Sequence, residues 1–246
     1  MKIKIATWNM AYWQYKNYFE EAWDYYLREI DADIIFFQEA RPSKVIENDK
    51  EHLVWNEIDS NRPWGSGVYS KKYKLTEEII KTEFKGAFSI ANTNIEDKKL
   101  TFISLYGLME GNGPTKGYSM ANLHRMLSDL TGILNGHING KRKIVLGGDF
   151  NASIQFDDIY GQKYTPNAHK IFFERIKDFG LFNCFNPFYK DYVQTLRHHR
   201  SKVKWQNDYF FISESISKKL INCEVVDNDK VRKYSDHNPV VITLDL

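Results

Sequence analysis

Cysteine is scarce in this sequence: Cys184 and Cys223 are the only two in 246 residues. No paired-cysteine spacing of a zinc site occurs, and two thiols make no disulfide scaffold, so a reducing compartment is the default expectation. Long apolar runs are missing too. No segment approaches the roughly 20 apolar residues that a membrane-crossing helix needs. Residues 1–9 alternate like a strand and lack the apolar stretch of a secretion signal. The expectation is a cytoplasmic protein with no membrane segment. A strong excess of either charge is missing as well, since the formal net charge is +2 and does not by itself argue for a polyanionic partner. With no short-period repeat, low-complexity tract or linker, residues 1–246 read as a single domain with a sizeable core.

What the chain does have is patterned segments that end in polar residues. Residues 2–8 alternate as a strand. Tyr18, Phe19, Ala22, Trp23, Tyr26, Leu27 and Ile30 then recur at helical spacing. Residues 33–39 form a continuous apolar run ending in Gln38-Glu39, as expected of a strand buried on both faces. A short strand over 65–70 follows a turn-rich stretch. Residues 88–95 and 100–106 flank Glu96-Asp97-Lys98-Lys99 and read as a hairpin. After a Gly-rich loop at 111–117, Met120, Leu123, Met126, Leu127, Leu130, Ile133 and Leu134 make a helical stripe. Residues 143–147 form another buried strand. Thr165-Pro166 reads as an N-cap with proline at the first helical position, and that helix runs to Phe179 and stops at Gly180. Strands return at 208–212 and 240–244. Both halves give a strand, a helix and further strands, which fits two sheets packed face to face with helices outside.

Five polar clusters sit against these apolar runs: Trp8-Asn9, Gln38-Glu39, Gly148-Asp149-Phe150-Asn151, Asn207-Asp208-Tyr209 and Ser235-Asp236-His237-Asn238-Pro239. Carboxylates and amides at the ends of buried strands are costly unless they meet one another or a metal. Pooled, they suit a hard divalent cation, a base for water and a cradle for phosphate. Glu39 reads as a Mg²⁺ ligand or as the partner of Arg41. Asp149 and Asn151 lie two apart, so an extended chain points both side chains the same way; a local Asp-Asn turn is the other reading. Asp149 suits a water-orienting role and Asn151 a donor to phosphate. His237 suits a general acid or phosphate donor, with Asp208 as the carboxylate that holds it.

The ordered blocks Trp8-Asn9, Gln38-Glu39, Gly67-Val68-Tyr69-Ser70, Tyr106, Gly148-Asp149-Phe150-Asn151, Asn207-Asp208-Tyr209 and Ser235-Asp236-His237 resemble the endonuclease/exonuclease/phosphatase superfamily, which includes the DNase I-like and exonuclease III-like enzymes. The resemblance runs from residue 3 to residue 244. It implies a four-layer α/β/β/α sandwich, two packed mixed sheets with helices outside. It implies hydrolysis of a phosphate ester by in-line attack of water, with Mg²⁺ or, in its place, Mn²⁺. Carried over to this chain, Glu39 resembles the principal metal ligand and Asp236 a further metal-site carboxylate. Asn9 resembles the residue that helps hold the catalytic Asp and phosphate, and it counts with Glu39 and Asp236 among the expected metal-site residues. Asp149 resembles the water-orienting group, Asn151 its phosphate-binding neighbour, and Asp208 with His237 the Asp-His pair. Tyr106 matches the Tyr of the repair-nuclease branch, where other branches place a His. Two positions depart from the pattern. Ala11 stands where an acidic residue is common, and Gln206 where an Arg is common.

For the substrate, the densest positive stretch is Arg197-His198-His199-Arg200-Ser201-Lys202-Val203-Lys204-Trp205. As a loop over the site it would contact the phosphates of a polynucleotide; as a solvated hairpin tip it would not. Aromatic residues make up 15% of the chain, mostly core by expectation, with a minority available to stack on bases. Lys141-Arg142-Lys143 reads as a solvated loop, and Asn112 as a residue within reach of phosphate. His124, His137 and His169 have no metal-type partner and read as surface or helix residues. The expectation is a nuclease acting on DNA or RNA, with a phosphatase or phosphodiesterase of a small or lipid phosphate ester as the alternative. No feature names a protein partner.

Overall fold

The structure is a computed structural model that describes residues 1–109, 120–137, 142–160 and 166–246. The expected loop at 111–117 with Asn112, together with Lys141 and the cap residue Thr165, lies outside the described residues.

The first strand, β1 (Lys2–Asn9), leads through two short helical turns, α1 (Tyr12–Tyr15) and α2 (Phe19–Tyr25), to β2 (Ile34–Ala40). An antiparallel pair follows, β3 (Leu53–Asp59) and β4 (Arg62–Ser70), and then the two-residue strand β5 (Thr76–Glu77). The hairpin β6 (Phe88–Ile95) and β7 (Lys98–Tyr106) turns on Glu96 and Asp97, both at positive φ. Helices α3 (Ala121–Asp129) and α4 (Thr131–Leu134) precede β8 (Lys143–Asp149). Then come α5 (Ile154–Tyr160), α6 (Ala168–Asp178), β9 (Leu181–Asn183), β10 (Asp208–Ser213), β11 (Leu220–Val225), α7 (Asp229–Tyr234) and β12 (Val240–Asp245).

Among the described residues two six-stranded sheets result, ordered β11-β12-β1-β2-β4-β3 and β5-β6-β7-β8-β10-β9. The pairs β1·β2 and β7·β8 are parallel and the rest antiparallel, so both sheets are mixed. Strand alternation explains the layers. Ile3, Ile5, Ile34 and Phe36 face inward and join Phe102 and Phe210 of the other sheet; the Phe36 ring lies 5.9 Å from Phe102 and 5.5 Å from Phe210. Their neighbours Ala6, Trp8, Ile35 and Phe37 face outward against Phe19, Ala22, Trp23 and Tyr26. The stripe Leu123, Met126, Leu127, Leu130, Ile133 and Leu134 is buried against the second sheet's cluster. This is the four-layer α/β/β/α sandwich.

Several local expectations change. The helical stripe at 120–134 is two helices, separated at Leu130. The stretch after β1 is not one helix: a π turn over Tyr26–Ile30 ends it, with Asp31 left-handed at φ 50°. Helix α6 starts at Ala168 rather than at Pro166, because Asn167 turns left-handed at φ 56° just before it. Gly180, at φ 70°, does terminate it, as glycine readily does past a helix end. Strands β3 and β11 lie at the outer edges of the first sheet, where partial exposure dilutes the apolar alternation. His169 lies on helix α6, the second of its two expected placements, with its side chain buried against Phe156.

Candidate active site

Register gathers the polar clusters at one end of the sandwich. In the first sheet Asn9 pairs with Gln38, next to Glu39. In the second, Tyr106 pairs with Asp149, and Asp149 pairs with Asp208, so three site residues stand side by side on β7, β8 and β10. His237 enters between Ser235 and β12, bridged to Leu196.

Local backbone distortions aim the side chains. Glu39 sits at φ 45°, within an irregularity of the β2–β4 pairing between Phe37 and Ala40. Asn151 sits at φ 47°, so the chain after β8 is not extended and Asp149 and Asn151 do not simply point the same way. Instead Asp149 Oδ1 accepts the Asn151 backbone N–H at 2.8 Å, and Asn151 Nδ2 donates to Gly107 O at 2.9 Å. The turn reading and the site reading therefore hold together. Gly107 is required here, because a Cβ on it would stand 2.1 Å from Phe150 O.

Asn9 is the hinge of the arrangement. Its Nδ2 donates to Glu39 Oε1 at 3.0 Å and to Asp149 Oδ2 at 2.8 Å, joining the two sheets. Its Oδ1 accepts the Ala11 N–H at 2.9 Å. Where an acidic residue is common, Ala11 is a buried left-handed turn residue that serves through its backbone. Glu39 takes no salt bridge from Arg41 among the described contacts; its Oε2 accepts from Trp13 Nε1. Trp13 has no motif to announce it and was not expected at the site.

Asp208 Oδ2 lies 2.9 Å from His237 Nδ1, and His237 Nε2 lies 3.9 Å from Asp149 Oδ2. Thr195 Oγ1 holds the Asp208 backbone N–H at 3.0 Å, and Ser235 Oγ holds that of His237 at 3.0 Å. All three titratable side chains are buried. Burial lifts the Asp149 carboxyl to about 7, with Asp208 and Glu39 adding to the rise and His237 opposing it. Burial disfavours the His237 imidazolium, but Asp208 and Asp149 more than offset this and raise it to about 10. Burial also raises the Tyr106 phenol well above its ordinary value, reinforced by Glu39 and Asp149, so it stays a neutral donor.

The donor set fits a divalent cation. Asp149, Asp208 and His237 bring ligand atoms within 4.8 Å of one another. Glu39, Asp149 and Asp208 supply three carboxylates against one imidazole. Asp208 Oδ1 is buried with no hydrogen-bond partner among the described residues. Excess buried negative charge and oxygen-rich donors match Mg²⁺ or Mn²⁺ chemistry. Asp236 does not join this cluster. Its side chain is half-buried, and its backbone carbonyl accepts the Arg197 N–H at 2.8 Å.

The basic stretch divides. Arg197 turns inward, donating to Ser235 O at 2.6 Å and to Asn238 Oδ1, so it supports the His237 loop rather than meeting a ligand. Leu196 and Trp205 bridge to close a hairpin. His198, Arg200 and Trp205 line a cavity of about 310 Å³ with Asn151, Asn207 and Tyr160. Gln206 is buried, its Oε1 accepting the Val193 N–H at 3.1 Å.

A family model described as "Endonuclease/Exonuclease/phosphatase family" matches residues 6–237. No curated protein matches the chain. Among solved structures it is similar to an AP endonuclease from Archaeoglobus fulgidus, at 18% identity and TM-score 0.74, covering 99% of this chain and 100% of that one. It is similar to an AP endonuclease from Leishmania major, at 15% identity and TM-score 0.78, covering 100% and 88%. A 3'-5' exonuclease from Neisseria meningitidis matches at 18% identity and TM-score 0.73, covering 99% and 100%. At these identities the likeness speaks for the fold.

Proposed function

Because this chain belongs to the endonuclease/exonuclease/phosphatase family, and so is a metal-dependent phosphoesterase, we propose that it is a nuclease that hydrolyses phosphodiester bonds of DNA or RNA. The carrying observation is the Asn9 amide joining Glu39 and Asp149 across the two sheets, with the Asp208–His237 pair facing Asp149.

Glu39 and Asp149 would hold the cation, with the free Asp208 oxygen beside them. Once bound, the cation offsets charge on the phosphoryl oxygens and eases ionisation of water. Asp149 aligns the attacking water and accepts its proton. His237, charged and steadied by Asp208, donates from Nε2 to a phosphoryl oxygen as negative charge develops there. Tyr106 and the second hydrogen of the Asn151 amide are further donors to phosphate. Support for a polynucleotide comes from the cavity beside Asn151, whose exposed Tyr160 ring and Arg200 guanidinium offer stacking and phosphate contact.

The test incubates the purified protein with Mg²⁺ and labelled single- and double-stranded DNA, RNA and an abasic duplex, beside a panel of phosphomonoesters. Cleavage of a polymer that disappears in Asp149→Asn is the expected result. Release of phosphate from small esters alone overturns the nucleic-acid reading.

A further inference from the structure

Trp13 is unusual among the six tryptophans of the chain. Trp8, Trp23 and Trp205 are buried, and Trp55 and Trp64 are half-buried, whereas Trp13 is 53% exposed. An indole left outside forgoes the burial for which such a large ring is usually used. Its ring packs against no other aromatic ring among the described residues. Its one polar atom is nevertheless committed, since Nε1 donates to Glu39 Oε2.

The chain around it is built to hold that contact. Asn9 Oδ1 accepts the Ala11 N–H and sets Ala11 left-handed, and Ala11 O then accepts the N–H groups of Gln14 at 2.9 Å and Tyr15 at 3.0 Å. The resulting turn, α1, is anchored by Tyr12, whose ring lies 4.6 Å from Phe19 on α2. The Asn9 side chain thus grips Glu39 from inside while also folding the turn that brings Trp13 to it from outside. The two Glu39 oxygens each receive a donor from a different residue. That two-sided grip removes the freedom of a carboxylate carried on a left-handed residue.

We infer that Trp13 is a positioning and specificity residue: its indole N–H orients Glu39 for the cation, and its open ring face stacks on a base beside the reacting phosphate. The inference rests on the nuclease reading for its second half only. Donors behind a metal-binding carboxylate fix its orientation and affect metal affinity by roughly 10- to 100-fold. One base–aromatic stack is worth roughly 5- to 150-fold in binding.

Three variants separate the two roles. Trp13→Phe keeps a ring and removes the donor. Trp13→Gln keeps a donor, with its amide nitrogen the same number of bonds from Cα, and removes the ring. Trp13→Ala removes both. Mn²⁺ affinity is measured by electron paramagnetic resonance on the protein without substrate, and KM and kcat with a single-stranded oligonucleotide and Mg²⁺. Trp13→Phe is expected to weaken Mn²⁺ binding by roughly tenfold or more while leaving KM at saturating metal near wild type. Trp13→Gln is expected to retain Mn²⁺ affinity and raise KM by roughly fivefold or more with kcat little changed. Trp13→Ala shows both defects. Mn²⁺ affinity unchanged in Trp13→Phe overturns the first role, and KM unchanged in Trp13→Gln overturns the second. If the wild type cleaves no polynucleotide, the nuclease reading and the stacking role fall together, while the Mn²⁺ titration still decides the orienting role.

Discussion

Gln38 and Glu39 are neighbours on β2, yet they belong to two buried polar clusters of opposite character. Gln38 enters a neutral seam between the sheets. Its Oε1 accepts from Thr7 Oγ1 at 3.1 Å and its Nε2 donates to Ser104 Oγ at 2.9 Å. Ser66 Oγ donates to Ser104 O at 2.7 Å, and Ser89 Oγ to Ser66 O at 2.6 Å. Every side chain of this seam has a partner. Glu39 enters the charged end of the sandwich, where Asp208 Oδ1 has none among the described residues, Asp149 is lifted to about 7, and the backbones of Ala11, Glu39 and Asn151 are left-handed. A buried polar network that closes on itself specifies how layers meet. One that stays open, charged and distorted marks where a ligand completes it.

The comparison breaks most readily at the charged end. Glu39→Gln, Asp149→Asn and His237→Gln should each reduce the cleavage rate by roughly a hundredfold or more. Far-UV circular dichroism and thermal melting of the same proteins should remain close to wild type. A melting temperature that collapses along with activity would make the charged cluster structural instead.

The seam should behave in the opposite way. Gln38→Leu leaves the Thr7 and Ser104 hydroxyls short of a partner, at about 1–3 kcal/mol of stability. Urea denaturation measures that loss, and activity per folded molecule should stay within a few-fold of wild type. A stable Gln38→Leu protein with lost activity would assign Gln38 to the site.

A buried titratable group outside both clusters sharpens the contrast. His169 Nδ1 accepts the Ser153 N–H at 3.2 Å, and burial depresses the imidazole to about 4. The unfolded chain takes up this proton near 6.5, so stability present above that pH is lost as pH falls towards 4. The slope is at most about 1.4 kcal/mol per pH unit. Urea midpoints at pH 7 and pH 5 should differ less in His169→Gln than in wild type. An equal difference in the two proteins would remove His169 as the cause.

The pattern of the chain carried the architecture because alternation and helical spacing are physical consequences of layers, as in residues 2–8, 33–39 and the stripe from Met120 to Leu134. It also carried the strand ends where polar residues gather. It did not separate Gln38 from Glu39, since an irregularity between Phe37 and Ala40 redirects one of them. It left the turn of Asn151 back on Asp149 as one of two readings, because Asn takes both extended and left-handed backbone and residue type alone does not choose between them. Trp13 was hidden for a similar reason: the turn that brings it to Glu39 depends on the Asn9 side chain, not on any spacing. Asp236, adjacent to His237 in sequence, stands apart from the buried cluster because its neighbour faces inward and it does not.

The central claim is that the charged cluster is incomplete without a divalent cation while the neutral seam is complete. Thermal melting with increasing Mn²⁺ or Mg²⁺ tests it directly, in wild type, Asp149→Asn and Gln38→Leu. A ligand at a hundred times its Kd stabilises the folded state by about 2.7 kcal/mol. Wild type and Gln38→Leu should both rise with cation, by similar amounts, and Asp149→Asn should rise little or not at all. Melting curves of the wild type unmoved by millimolar cation, or an equal rise in all three proteins, would contradict the account.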